Sequence, residues 1–196
     1  MKKNRYSSAI LCSVVLMTLG LANCDKKSTG PQSGSSSVQT AAFEKVGLPD
    51  GITETAADLV IKGKIAKANP VLLDLATIMQ FPKISFTTFD PWDEKDQKYT
   101  GVSLISLLEY LQMDESADHI EVIAMNDYQV PIRVEDLRKY EYVLAYEIDG
   151  VLLKDSASMQ KKGVLMIELN FDKHKDIDVE IYKSHLVWQA GTIIVK

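Results

Sequence analysis

Apolar positions follow a helical period near the middle of the chain and a strand period on either side of it. Leu104, Leu107, Leu108 and Leu111 fall at i, i+3, i+4 and i+7, which makes one face of a helix. Ser103 supplies a side chain to cap that helix, and Gly101 frees the chain for the turn into it. Ile120, Val122 and Ala124 then alternate with Glu121 and Ile123, a strand that ends at the polar turn Asn126-Asp127-Tyr128, expected at the rim of a cleft. Upstream, Asp58 to Ile65 reads as a strand bent at Gly63, Asn69-Pro70 as a turn, and Val71 to Gln80 as a short helix with Leu72, Leu75, Ile78 and Met79 inward. Ile84 to Asp90 alternates, with Ile84, Phe86 and Thr88 on one face and Ser85, Thr87 and Phe89 on the other; Pro91 to Tyr99 reads as a charged loop. Downstream come a short helix at Val134 to Tyr140 and a strand at Tyr142 to Ile148. The Asp149-Gly150 hairpin leads into Val151 to Leu153, and a further strand spans Gly163 to Leu169. A charged turn at Asp172 to Asp178 precedes one or two closing strands that include Leu186-Val187-Trp188 and Thr192 to Val195. Strands with short inserted helices predict an α+β domain with a mixed sheet or flattened barrel.

The pattern fails before Phe43. Lys2, Lys3 and Arg5 precede an apolar run from Ala9 to Leu21, shorter than the roughly 20 residues that cross a bilayer and suited to the centre of a secretory signal. Leu21-Ala22-Asn23-Cys24 resembles a bacterial lipobox, which implies lipidation of Cys24 and a new N-terminus there. Resemblance to enterobacterial lipoproteins implies, through Asp25, retention at the inner membrane. Residues 24–42, rich in Ser, Gly and Thr, read as the lipidated cysteine and a flexible tether, and residues 43–196 as one folded domain. A lipid-anchored location in the cell envelope, facing the periplasm, follows from this reading.

Removing residues 1–23 takes three of the 22 Lys and Arg and none of the 27 Asp and Glu, leaving a formal −8. That charge argues against a nucleic-acid partner and against electrostatic docking on anionic lipid. The chain has two cysteines, Cys12 in the signal and Cys24 at the lipid, so the domain itself has no thiol for a disulfide, a zinc site, an iron–sulfur cluster or a cysteine nucleophile.

Several motifs follow one another in order: Leu59-Val60-Ile61-x-Gly63, Asn69-Pro70, Tyr99-x-Gly101-Val102-x-Leu104-x-x-Leu107-Leu108, Asp127-Tyr128, Pro131-Ile132-x-x-Glu135-Asp136-Leu137, Leu144-Ala145-Tyr146-x-x-Asp149-Gly150-x-x-Leu153 and Lys162-Gly163-x-Leu165. In this order they resemble the oxidoreductase molybdopterin-binding domain, the fold of the sulfite oxidase catalytic domain, in a short standalone form. The resemblance implies a pterin-dithiolene molybdenum centre held by one protein cysteine on the strand before the Tyr-x-Gly-Val segment. Here that strand is Ile84 to Asp90, and it carries Thr87 and Thr88 instead. The family's Gly-Pro-Leu-Arg corresponds to Gly163-Val164-Leu165-Met166, so a cofactor-facing arginine is absent too. A threonine hydroxyl does not replace a soft thiolate for molybdenum.

The residues expected around the cleft are Thr87, Thr88, Asp90, Trp92, Asn126, Asp127, Tyr128, Lys161, Lys162 and Gly163. One reading makes them a pocket for a small polar or anionic ligand or for a partner's surface; the other makes them ordinary turn chemistry and core edge. His174 among Asp172, Asp176 and Asp178 reads as a solvated turn rather than a metal site, and Trp188 as core. The resulting expectation is an envelope lipoprotein with a molybdopterin-oxidoreductase-like fold and no catalytic residues or metal. It would bind a small ligand or a membrane sensor or redox protein. One alternative is a molybdopterin-dependent oxidoreductase with a non-cysteine ligand; the other is an assembly factor of an envelope complex.

Overall fold

The computed structural model describes residues 42–196; the signal, Cys24 and nearly all of the tether lie outside the described residues. Two sheets face each other across the main core. The first, mixed sheet has the order β2 (Val71–Leu73), β1 (Leu59–Gly63), β10 (Ala190–Val195), β5 (His119–Ala124), β6 (Gln129–Arg133). Its one parallel pair is β1 with β10, and the other pairs are antiparallel. The second sheet is antiparallel: β3 (Lys83–Asp90), β4 (Lys95–Ser103), β7 (Tyr142–Ile148), then β8 (Val151–Leu152), with β9 (Met166–Leu169) also on β7. This is the expected α+β class with a mixed sheet, and among the described residues no barrel closes.

Short helices connect the strands: α1 (Leu75–Ile78), α2 (Leu104–Tyr110), α3 (Val134–Lys139), α4 (Met159–Lys162) and α5 (Val179–Tyr182). Helix α2 carries out the leucine pattern. Ser103 accepts from Ser106 N at its start, and Leu104, Leu107, Leu108 and Leu111 are all fully buried. Gly101 is needed because β4 passes close to β7, where a Cβ would meet Leu144 O at 2.0 Å. Asp149 and Gly150 both take positive φ (52° and 83°), as a tight hairpin between right-twisted strands requires.

Four expectations change. Val71 to Gln80 is a strand followed by one helical turn, because Asp74 caps α1 by accepting from Thr77 N and so stops the helix from starting earlier; Met79 is consequently exposed. Gly63 ends β1 rather than bending it, with φ +102° and both of its main-chain groups bound by the Asn69 side chain. The loop read at Pro91 to Tyr99 is only Pro91–Glu94, since Lys95 onward pairs with β3. In the last segment, residues 179–185 are helical, Val187 makes a single bridge to Ile167, and one long strand closes the chain.

Main-core residues come from both sheets, among them Ile61, Ile120, Val122 and Ile193 on one side and Val102, Leu144 and Ile167 on the other. A second, smaller core lies on the other face of the second sheet, formed by Tyr99, Val143, Ala145, Leu153 and Met166 with Ile84, Phe86 and Trp188 packed on it.

Candidate functional site

The second core holds a buried polar cluster. Alternation along β3 turns Ile84, Phe86, Thr88 and Asp90 to one face, and the register sets Thr88 opposite Gln97 and Phe86 opposite Tyr99. Asp90, Gln97 and Tyr99 therefore converge. The turn after β3 is built by Asp90 itself, whose Oδ1 accepts from Trp92 N (2.8 Å) and Asp93 N (3.1 Å). Its Oδ2 accepts from the Tyr99 hydroxyl (2.6 Å), from Gln97 Nε2 (2.8 Å) and from Lys162 Nζ (3.3 Å). Lys162 also pairs with Asp93 at 2.6 Å. The side chains of Asp90 and Lys162 are 0% and 2% exposed, so this pair is sealed from water.

Lys162 is delivered by the last turn of α4. Gly163 follows with φ +74°, where a Cβ would stand 2.8 Å from Gln189 Cα, and Gln189 ties down the helix end by donating to Gln160 O and Lys161 O. Glu168, on β9, faces the same core with 0% exposure, and neither of its carboxyl oxygens has a partner among the described residues. Burial, with Asp90 nearby, raises its pKa well above the ordinary glutamate value, against the opposing pull of Lys162. Burial also raises the Tyr99 phenol, with Glu168 and Asp90 adding to the effect. For Asp93 burial works upward, but the Lys162 and Gln97 hydrogen bonds and the lysine charges outweigh it and hold the carboxyl below its usual value.

Against this cluster stand the chain's two tryptophans. Trp92 and Trp188 meet edge to face, with ring centroids 6.5 Å apart at 69°. Lys161 Nζ lies over the Trp188 ring at 4.4 Å and pairs with Asp93 at 3.5 Å; Lys183 Nζ lies over Trp92 at 5.5 Å. Between Trp92, Trp188, Tyr128, Asn126, Leu186 and Ile181 a cleft of ≈ 380 Å³ opens. Its walls are fixed by Trp92 Nε1 donating to Lys183 O (3.1 Å) and the Tyr128 hydroxyl donating to Ser184 O (2.8 Å). Trp188 Nε1 is buried without a partner among the described residues.

The expected site residues therefore divide. Trp92, Asn126 and Tyr128 line the cleft, Lys161 lies over its inner tryptophan, and Asp90 and Lys162 are buried behind it. Asp127, with φ +65°, and Gly163 line a different groove of ≈ 810 Å³ beside Gln189. Thr88 is buried and accepts from Asp172 N (3.2 Å), and Thr87 is exposed on the opposite face of β3. Sequence reasoning missed Gln97, Tyr99, Glu168 and Lys183; Trp188, read as core, packs on the second core and also lines the cleft. A glutamate inside the apolar run Met166-Ile167-Glu168-Leu169 was the available signal. His174 is a packing residue: its Nε2 accepts from Glu141 N and its ring meets Tyr140 edge on.

A pterin-dithiolene metal does not suit these donors. Residues 42–196 contain no cysteine, the two threonines on β3 are turned outward or already engaged, and Arg133 and Arg138 line a separate depression with His119. The resemblance implies a thiolate on β3; the chain has no cysteine there and holds a buried Asp90–Lys162 ion pair beside Trp188.

No known protein-family profile matches this chain, and no curated protein matches it. Among solved structures it is similar to the sulfane dehydrogenase SoxCD from Paracoccus pantotrophus, with a TM-score of 0.54 at 12% identity over 76% of this chain. The chain spans 40% of the length of that one. The likeness is one of fold alone, an α+β scaffold shared at 12% identity.

Proposed function

We propose that this protein is a lipid-anchored envelope binding protein that uses an oxidoreductase scaffold for recognition instead of electron transfer, with the two-tryptophan cleft as its ligand site. The single observation that carries this reading is the buried Asp90–Lys162–Asp93 cluster directly behind Trp92 and Trp188, in a folded region with no cysteine. A buried ion pair with its hydrogen bonds satisfied is a structural element, while exposed aromatic walls with ammonium groups over them suit a small planar molecule bearing a negative or polar group. Trp92 is 48% exposed and offers a ring face at the surface. The anchor is Cys24, and the partner class is a small ligand presented to, or removed from, a membrane sensor or redox protein.

Because the chain's two tryptophans both lie at the cleft, their fluorescence reports it alone. The fluorescent aromatic sulfonate 8-anilinonaphthalene-1-sulfonate should quench wild-type emission saturably and lose affinity at least tenfold in Tyr128→Ala with Lys183→Ala. Element analysis of protein taken from its native membrane should show molybdenum and tungsten far below one atom per chain. One atom per chain would reject the reading in favour of a non-cysteine molybdenum enzyme.

A further inference from the structure

The two sheets protect their edges unequally. In the first sheet β2 is only three residues long, and β6 carries Pro131, which cannot donate outward. In the second, β8 has two residues, and β9 is covered where Ile167 and Val187 exchange main-chain hydrogen bonds (2.8 and 3.1 Å). Strand β3 has such cover only at its end, where Asp172 holds Phe89 N. It is an edge strand of eight residues, paired without a register shift, and its interior Ile84–Phe89 contains no charge, proline or glycine. Such an edge is a template for another strand.

The direction of its free groups can be read from one bond. Phe89 N donates away from β4, to Asp172 Oδ2 at 3.0 Å. Antiparallel strands alternate inward and outward main-chain groups, so Lys83, Ser85 and Thr87 also present theirs outward. The opposed Ser85 and Thr100 hydroxyls, 2.9 Å apart, fit a close, non-hydrogen-bonded pair, as that alternation requires. Among the described residues, Ser85 and Thr87 have no main-chain partner on the outer side.

We propose that β3 is a homodimer interface, in which a second copy of this chain pairs with it antiparallel about a two-fold axis at Phe86. Outward groups must meet outward groups, so Ser85 faces Thr87 of the second copy and Thr87 faces its Ser85, joined by about four main-chain hydrogen bonds. An axis at Thr87 would set Ser85 opposite Phe89 and draw the Phe89 N–H, which Asp172 already holds, into the pairs next to the axis; at Phe86 that N–H falls at the outer end of the pairing and stays with Asp172. The axis at Phe86 sets Lys83 opposite Phe89 of the second copy, which brings its ammonium beside that copy's Asp172 carboxylate. The match joins Lys83 of β3 to Asp172 of the segment after β9, a carboxylate also paired with Lys175; both halves lie in this one chain, so a second copy meets the match twice about the axis. The two half-buried Phe86 side chains become neighbours across the axis.

The test uses the full chain in its membrane. With residues 43–196 free of cysteine, Phe86→Cys should give a disulfide-linked dimer on a non-reducing gel, because the two residues face each other, and Ser85→Cys should link at least tenfold less. Thr87→Pro removes only an outward donor, so it should abolish the dimer in sedimentation of detergent-solubilised protein while leaving circular dichroism and melting temperature unchanged. A monomeric wild-type protein at tens of micromolar, or a dimer that persists in Thr87→Pro, overturns the proposal. Stronger linkage through Ser85→Cys than through Phe86→Cys overturns the register.

Discussion

Lys162 Nζ lies 3.3 Å from Asp90 Oδ2 in a pocket that excludes solvent from both side chains. The pair also receives Tyr99, Gln97 and two backbone N–H groups, so its desolvation is offset by hydrogen bonds and not by charge attraction alone. Lys162→Met leaves Asp90 charged and buried, and urea denaturation should show a loss of about 3–5 kcal/mol. Adding Asp90→Asn should recover part of that loss, because no net charge then stays behind the tryptophans. A double variant as unstable as the sum of the two singles would show that the residues do not act as a pair.

Glu168 gives the stability a pH dependence of known sign. Its pKa is raised in the folded state, so the folded protein holds a proton that the unfolded chain releases above the ordinary glutamate value of about 4.3. Stability from this group is complete below that value and falls as pH rises toward the folded pKa, with a limiting slope of about 1.4 kcal/mol per pH unit. Glu168→Gln removes the effect. Urea titrations should show the variant gaining on wild type as pH rises above the ordinary glutamate value and matching its slope below it. Parallel curves across the range would contradict burial of the carboxyl.

Gly101 and Leu144 touch backbone to backbone, and a methyl group at Gly101 would collide with Leu144 O and Ala145 Cα. Gly101→Ala forces β4 from β7 at the centre of the second sheet and should cost at least about 3 kcal/mol, the upper end of overpacking losses. Gly150→Ala, with no atom within 4 Å of the added methyl, should lose only what its positive φ demands, about 1 kcal/mol. Thermal melts of the two variants in parallel test the difference.

Leu108 is fully buried on the inner face of α2, and Leu108→Ala should lower stability by about 2–5 kcal/mol. An unchanged melting curve would contradict the packing of that helix.

The lipid anchor proposed at Cys24 predicts that Cys24→Ser moves the protein from the membrane to the soluble envelope fraction on cell fractionation. Retention in the membrane would refute the lipid anchor.

The elements easiest to read in the sequence were those whose pattern is local. The leucines of α2, the alternation of β3 and β5 and the Asp149-Gly150 turn each carry their instruction within a few residues. Val71 to Gln80 was misread because one side-chain oxygen, Asp74 Oδ1, outweighs a helical spacing of apolar residues. The cleft was half legible. Trp92, Asn126 and Tyr128 stand out as polar or aromatic residues in turns, but Gln97 and Tyr99 lie in a charged stretch that reads as loop and is ordered only by pairing of β4 with β3. Contacts such as Lys162 with Asp90, 72 residues apart, depend on how three strands and a helix end pack, which no local spacing encodes.

The first sheet has its middle strand last in the sequence, with β10 between β1 and β5. On a ribosome or in a translocation channel, β1–β2 and β5–β6 must wait as separate hairpins with exposed margins until residues 190–195 emerge to join them. Assembly of that half of the molecule therefore waits for residues 190–195, and loss of this one strand would sever the sheet into two pieces instead of merely shortening it.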